Sequence, residues 1–329
     1  MRCLALAQAW KDLGGTVAFV SREASGSSSK RLVEEAIDLC SPQSIPGTVE
    51  DAHETARIAG TRNGSWIVVD GYHFGSLYQK TIKDHGFCLL CLDDLGHAGH
   101  YYADIVVNQN IGADRAMYPA HEDYTDLLLG PSYVLLRREF QNWKNYQREN
   151  GRVPRKVLIT IGGGDPDNVT TRVIEGITLL GNTDLSLAVI VGPHNPYHDQ
   201  IQSVAVMAPS PVRIIENPES MPRCMAWADL AVSGAGSTCW ELLYMGLPAA
   251  VIQLAENQRP IAEGLAGLGA VINLGPFQSL DPGRVAGAVR ILLSLTPEQR
   301  KAYSGYRRLI DGDGAIRVVA KMKQHQGHR

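Results

Sequence analysis

The residues with the clearest chemical potential lie in "VSGAGSTCWELLYMGLPAAVIQLAENQ", positions 232–258. An apolar strand pattern runs to Ser233. The small residues Gly234, Ala235, Gly236, Ser237 and Thr238 follow, and a helical pattern opens at Cys239. Small side chains let a backbone approach a ligand closely, and the free N–H groups at a helix start suit a diphosphate. Ser237 and Thr238 add hydroxyl donors. Glu241, three residues past Thr238, fits two roles: closing a capping box, or accepting hydrogen bonds from ribose hydroxyls. Gly246-Leu247-Pro248 ends the helix. Asn257 and Gln258 then fall just past the C-terminal end of the next strand, the side on which ligands bind parallel sheets.

A second stretch, "ITIGGGDPDNVT" (159–170), places three glycines, Gly163 among them, after a strand and before Asp165-Pro166 and Asn168. It reads as a phosphate or substrate contact, or as a tight turn whose Asp caps a helix. A third, "DGYHF" (70–74), sets Tyr72 and His73 at the mouth of a buried strand that ends in Asp70. His73 there could act as a base or as a loop residue. "LDDLGHAGHYYAD" (92–104) offers Asp93 and Asp94 at a strand end, with His97 and His100 in the polar loop after it; the set could suggest a metal, but the His spacing is too common to imply one, and none is expected. Cys88 and Cys91 point to opposite faces of a strand, which speaks against zinc or redox chemistry.

These residues need a scaffold, and the pattern supplies one. Apolar runs at 16–21, 65–72, 87–94, 103–110 and 126–130 alternate with helical segments near 29–39 and 75–85. After a polar, charged stretch the rhythm resumes at 156–166, 185–193, 212–217, 228–236, 248–257 and 270–275, and a last helix is predicted near 297–323. This alternation predicts an α/β protein with doubly wound parallel sheets. The economical division is a first domain over 1–141, a linker over 142–155, and a second domain over 156–329 with the terminal helix. A cleft between the domains is the default ligand site.

Composition excludes several classes of function. With 31 Lys and Arg against 34 Asp and Glu, the net charge is −3, and no basic block appears. Nucleic acid and anionic membrane are therefore not expected partners. At 44% hydrophobic residues, 329 residues can bury two cores, yet no run of 18 apolar residues implies a membrane span or anchor. Six cysteines in mostly apolar surroundings, and the lack of a signal-peptide pattern, predict a reducing cytoplasm.

The string from Gly234 to Gln258 resembles the nucleotide-binding half of GT-B sugar-nucleotide enzymes. Taken in order with "MRCLALAQAW", "VVDGY", "LDDL", "ADIVVNQN", "LLGPSYVLLRREF" and "ITIGGGDPDNVT", it resembles the UDP-2,4-diacetamido-2,4,6-trideoxy-β-L-altropyranose hydrolases of pseudaminic acid biosynthesis. That resemblance implies a GT-B fold, a UDP-sugar substrate, no cofactor, and hydrolysis to UDP and free sugar. It implies diphosphate contacts at Gly234, Gly236, Ser237 and Thr238, ribose at Glu241, and sugar or diphosphate at Asn257 or Gln258. Asp165 and Asn168 would line the cleft, Arg2 would touch diphosphate or sugar, and Tyr72 the substrate.

In that family a first strand and a G-x-G-H turn, bearing the catalytic histidine, precede the "MRCLALA" helix. The resemblance therefore places this strand and this base before Met1, with Met1 an internal methionine of a longer chain. A genuine short form, with His73 as substitute base, is the alternative. A surface-polysaccharide glycosyltransferase and an inactive nucleotide-sugar binder are the other functional readings.

Overall fold

A computed structural model describes residues 1–22, 26–193 and 195–326, apart from the side chains of 26–29 and 326. The chain forms two compact units. One comprises Met1–Arg138 with Gly312–Arg329, and the other Glu139–Asp311.

The first unit opens with α1 (Arg2–Asp12), which ends at Gly14 in the left-handed region (φ 85°). There follow β1 (Ala18–Val20), α2 (Gly26–Glu34), β2 (Asp38–Cys40), α3 (Val49–Thr61), β3 (Trp66–Asp70), α4 (Ser76–Asp84), β4 (Cys88–Leu92), β5 (Ile105–Asn108) and β6 (Asp126–Leu129). The helix predicted to run to Leu39 stops at Glu34. Ala36 takes a positive φ of 48°, and residues 38–40 pair with β1 instead. α3 buries Asp51, Ala52, Thr55 and Ala56. Its start is set by Thr48, whose hydroxyl accepts from Asp51 N at 3.2 Å.

The second unit contains β7 (Lys156–Thr160), α5 (Val169–Thr178), β8 (Ser186–Val191), α6 (His198–Met207), β9 (Val212–Glu216), α7 (Met221–Trp227), β10 (Leu230–Gly234), α8 (Thr238–Tyr244), β11 (Ala249–Gln253), α9 (Arg259–Gly267), β12 (Ile272–Pro276), α10 (Pro282–Leu293) and α11 (Pro297–Gly305). Its six parallel strands lie in the order β12-β11-β10-β7-β8-β9. Every residue of β10 and β11 is buried, as expected of strands covered on both faces. The strand order reverses between β7 and β10, so the loops after these two strands flank the switch point where doubly wound sheets bind ligands.

The single last helix expected in the second domain is two helices. The chain breaks around Gly312–Gly314, and α12 (Gly314–Gln326) belongs to the first unit. Ala315, Val318, Val319 and Met322 pack there with Leu6, Leu90 and Ile105. Gly314 is required at the entry, because a Cβ would lie 2.3 Å from Val134 O.

Up to β4 the first unit repeats the βα order of the second with one difference. β3-β4-β5-β6 form one parallel sheet and β1-β2 another. By chain order α1 corresponds to α5, β1 and β2 to β8 and β9, and β3 and β4 to β10 and β11. In the second unit β7 joins β8 to β10, whereas no described strand joins β1 to β3. α1 bridges the two sheets. Its Ala5 and Leu6 pack with β4 and β5, and its Leu4 and Ala7 with Leu32, Ile37 and Phe19.

The stretch read as a linker has no helix or strand over 144–155, yet it is held firmly to the second unit. Arg307 donates to the carbonyls of Trp143 and Lys144, both at 2.6 Å, and Arg300 to Arg152 O at 2.6 Å. Arg148 donates to Met225 O (2.7 Å), Met245 O (3.3 Å) and Ala228 O. It thereby places one cation against the C-terminal ends of both α7 and α8, where the helix dipoles favour positive charge.

Candidate functional site

In the second unit the glycine-rich turn is an exposed tip on a buried element. From Cys239 to Tyr244 every residue of α8 is buried, and burial pushes the Cys239 thiol up to about 12. Ser237 is exposed, and Gly236 and Thr238 are half-buried. Only the leading turn of α8 is therefore open to solvent, and there Cys239 N and Trp240 N already donate to Gly236 O (3.0 Å) and Ser237 O (3.1 Å). Gly246 (φ 59°) closes the helix, with Leu247 N bound to Leu242 O and Gly246 N to Leu243 O, both at 3.0 Å.

The glycines of this turn differ in what they permit. A Cβ on Gly234 would meet Leu254 Cδ1 at 2.7 Å and Ile161 O at 3.2 Å, so Leu254 would have to move to admit a side chain there. A Cβ on Gly236 would meet nothing closer than Gln258 Nε2 at 3.5 Å, an ordinary contact. Gln258 is thus brought beside the turn. Its Oε1 accepts from Leu254 N at 3.0 Å, which holds the side chain in place. Asn257 is adjacent in the short 3-10 turn Glu256–Gln258. Glu241 is 7% exposed in the first turn of α8.

Asp165 has a structural task. It is buried, and its carboxylate oxygens accept from Val169 N (2.8 Å) and Thr170 N (2.9 Å), the opening amides of α5. Asn168 donates to Gln200 Oε1 and accepts from Thr171 Oγ1, both at 2.7 Å. The helix-cap reading of this stretch therefore describes Asp165. Gly162, Gly163 and Gly164 are exposed, and a Cβ on any of them would meet nothing within 4 Å.

In the first unit, polar residues gather at the C-terminal ends of β3, β4 and β5. Arg2 donates to Asp70 through Nε (3.1 Å) and Nη2 (2.7 Å), and to Asp94 Oδ1 through Nη1 (2.7 Å). Burial by itself lowers the Arg2 pKa, and the hydrogen bonds and charges of Asp70 and Asp94 raise it above its ordinary value. Burial likewise raises the Asp70 carboxyl, and Arg2 outweighs this and holds it below the usual range. Arg2 is therefore committed to two carboxylates and is not a free cation for a diphosphate.

Sequence reasoning raised Asp94 only within a metal pattern it set aside, and missed Asn110. Tyr72 OH donates to Asp94 Oδ2 at 3.0 Å, and Asn110 Nδ2 to Asp94 Oδ1 at 2.8 Å. Asp93, 1% exposed, accepts from Leu95 N, Gly96 N and Tyr101 OH, and its Oδ2 lies 3.1 Å from His97 Nδ1. His100 goes instead to Glu122, at 3.0 Å. His73 is exposed, its ring tilted against Phe74.

Comparison with known proteins places this geometry. Residues 157–294 match the glycosyltransferase family 28 C-terminal domain. The chain is 29% identical over 199 residues to the uncharacterized protein MJ1062 of Methanocaldococcus jannaschii, covering 59% of this chain and 41% of that one. It is 26% identical over 223 residues to the spore coat polysaccharide biosynthesis protein SpsG of Bacillus subtilis, covering 67% and 64%. It is 24% identical over 206 residues to a Helicobacter pylori protein named pseudaminic acid cytidylyltransferase and UDP-2,4-diacetamido-2,4,6-trideoxy-beta-L-altropyranose hydrolase, covering 62% and 37%. The chain thus spans between 37% and 64% of the length of these relatives.

Among solved structures, Acinetobacter baumannii MurG superposes with TM-score 0.66 at 16% identity, covering 98% of this chain and 95% of that one. The S. aureus MnaA-UDP co-structure superposes with TM-score 0.68 at 13% identity, covering 99% and 93%. The chain has the GT-B fold of two Rossmann-like α/β domains, and its residues 157–294 are similar to a glycosyltransferase domain. Among the described residues no helix is long and apolar enough to cross a membrane.

Proposed function

We propose that the chain acts on a UDP-sugar, held by its nucleotide through the second unit, and hydrolyses it to UDP and free 2,4-diacetamido-2,4,6-trideoxy sugar in nonulosonic acid biosynthesis. The observation that carries this reading is the turn Gly234–Thr238. It is the exposed tip of an otherwise buried strand–helix element, with Gln258 set beside it, inside the region that matches the glycosyltransferase family 28 C-terminal domain. The name of the Helicobacter pylori relative supports the hydrolase and the sugar.

In this reading, the amides and hydroxyls at Gly236–Thr238 stabilise the departing diphosphate, and the Gln258 amide donates alongside them. Glu241 accepts from ribose. Water oxygen bonds to the anomeric carbon as the bond from that carbon to the diphosphate oxygen breaks. The electron pair leaves on UDP, and a base carries the water proton to solvent.

A second reading, transfer of the sugar to an acceptor, is favoured by the match to a glycosyltransferase domain. The test is incubation of the full chain with UDP-2,4-diacetamido-2,4,6-trideoxy-β-L-altrose, following UDP and reducing sugar. Equimolar UDP and free sugar without an acceptor support hydrolysis. UDP that appears only when an acceptor is added makes the chain a transferase.

A further inference from the structure

Away from its strand ends, the first unit brings two imidazoles together. His53 stands in α3, and His85 is the residue on which α4 ends. The two helices share one core, with Ala52 and Ala56 from α3 and Tyr78 and Ile82 from α4. His53 follows Ala52 and His85 comes one turn after Ile82, so both stand at the rim of that contact, and both are exposed. His53 Nδ1 lies 2.8 Å from His85 Nε2, with the rings edge to face. The backbone N–H of His85 donates to Thr81 O and Ile82 O, and Gly86 (φ 85°) turns the chain away, which fixes the base of this side chain.

The choice of partner decides the chemistry. His97, His100, His198 and His325 each meet a carboxylate, which favours the protonated ring. His53 and His85 meet each other. Two imidazolium rings this close would repel, and neither could accept a hydrogen bond, so at least one ring of the pair is neutral. The neutral ring is the form that binds a metal ion. Two imidazole nitrogens on one ion, each at about 2.0–2.1 Å, stand about 3.0–3.4 Å apart, so these two need to part by only about half an ångström. The ring that now donates then carries its proton on its other nitrogen. Among the described residues no group of three or more His, Cys, Asp or Glu could hold a metal, so water completes the coordination and the ion stays exchangeable. A pair of imidazoles with no carboxylate disfavours Mg²⁺ and Ca²⁺ and suits Zn²⁺, Ni²⁺ or Cu²⁺.

We infer that His53 and His85 form a site for one divalent transition-metal ion, which clips α3 to α4. The site lies wholly within the first unit and does not rest on the nucleotide-sugar reading.

The test is calorimetry of Zn²⁺ into the metal-stripped full chain, using the wild type, His53→Ala, His85→Ala and the double variant, with Mg²⁺ as the control. Both side chains are exposed and alanine suits a helix, so melting curves without metal should agree across the four proteins. The wild type should take up one Zn²⁺ that each single variant binds at least about tenfold more weakly. The double variant should bind no more weakly than either single, because losing one ring already breaks a shared site. Zn²⁺ should raise the melting temperature of the wild type alone. Electron paramagnetic resonance with Cu²⁺ reads the ligands directly: two coupled nitrogens in the wild type, and one fewer in either single variant.

Zn²⁺ uptake that survives in both single variants, losses that add in the double variant, or no uptake by the wild type would each overturn the site. The two rings would then be no more than a hydrogen bond between helices.

Discussion

Gly192 approaches Gly163 so closely that a Cβ on Gly192 would lie 1.8 Å from the Gly163 carbonyl oxygen. The loops after β7 and β8 are therefore locked to each other through bare backbone, and Gly162–Gly164 are held although nothing packs on their outer side. Gly192→Ala should displace the 162–164 loop and destabilise the chain by about 3 kcal/mol. Chemical denaturation measures this directly. Gly164→Ala, whose Cβ meets open space, is the control and should cost far less.

The Arg2 bridge predicts a pH dependence. The folded Asp70 carboxyl lies below its ordinary value, so it contributes stability above about pH 4 that is lost as pH falls through the lowered folded value. Arg2→Met leaves Asp70 and Asp94 without their cation and should cost about 3 kcal/mol at neutral pH. The difference between wild type and variant, followed by denaturation from pH 7 downward, should hold constant to about pH 5 and then shrink. A difference independent of pH would show that Arg2 acts through packing alone.

Arg148 joins α8 to the 144–155 segment. Burial lowers its pKa, and its guanidinium donates to carbonyl oxygens at the ends of α7 and α8 and lies 5.8 Å from the centre of the Tyr146 ring. Arg148→Met should strand those carbonyls, cost about 2 kcal/mol, and lower the melting temperature by on the order of 5 °C. Lysine can reach one of the three acceptors but not all, so Arg148→Lys should fall between the two.

Much of this was readable along the chain. The strands of the second unit declare themselves as apolar runs because helices cover both faces of the sheet. The Gly234–Thr238 turn is visible as a run of small residues between an apolar strand pattern and a helical one. Other features depend on partners distant in sequence. Arg2 meets Asp70 and Asp94, 68 and 92 residues away, so nothing local distinguishes it from a free cation. Asp165 reads equally well as cap or contact until α5 places two amides on it. The terminal helix carries an apolar stripe, but the stripe does not say which core it joins, and the break at Gly312–Gly314 lies inside a helical pattern. β2, three residues long, is too short to show a period. Asn110 gave no signal beyond its place after a strand, and its bond to Asp94 appears only in the fold.

The central claim is that the turn at Gly236 receives the diphosphate of UDP. Titration calorimetry of UDP against the wild type and Gly236→Ala tests it most directly, because the added Cβ meets nothing closer than 3.5 Å within the fold and the melting temperature should not change. The wild type should bind UDP, and the variant should bind it at least about tenfold more weakly, with the methyl standing where the phosphate must approach. Equal affinity for both proteins, or no binding to the wild type, would contradict the assignment.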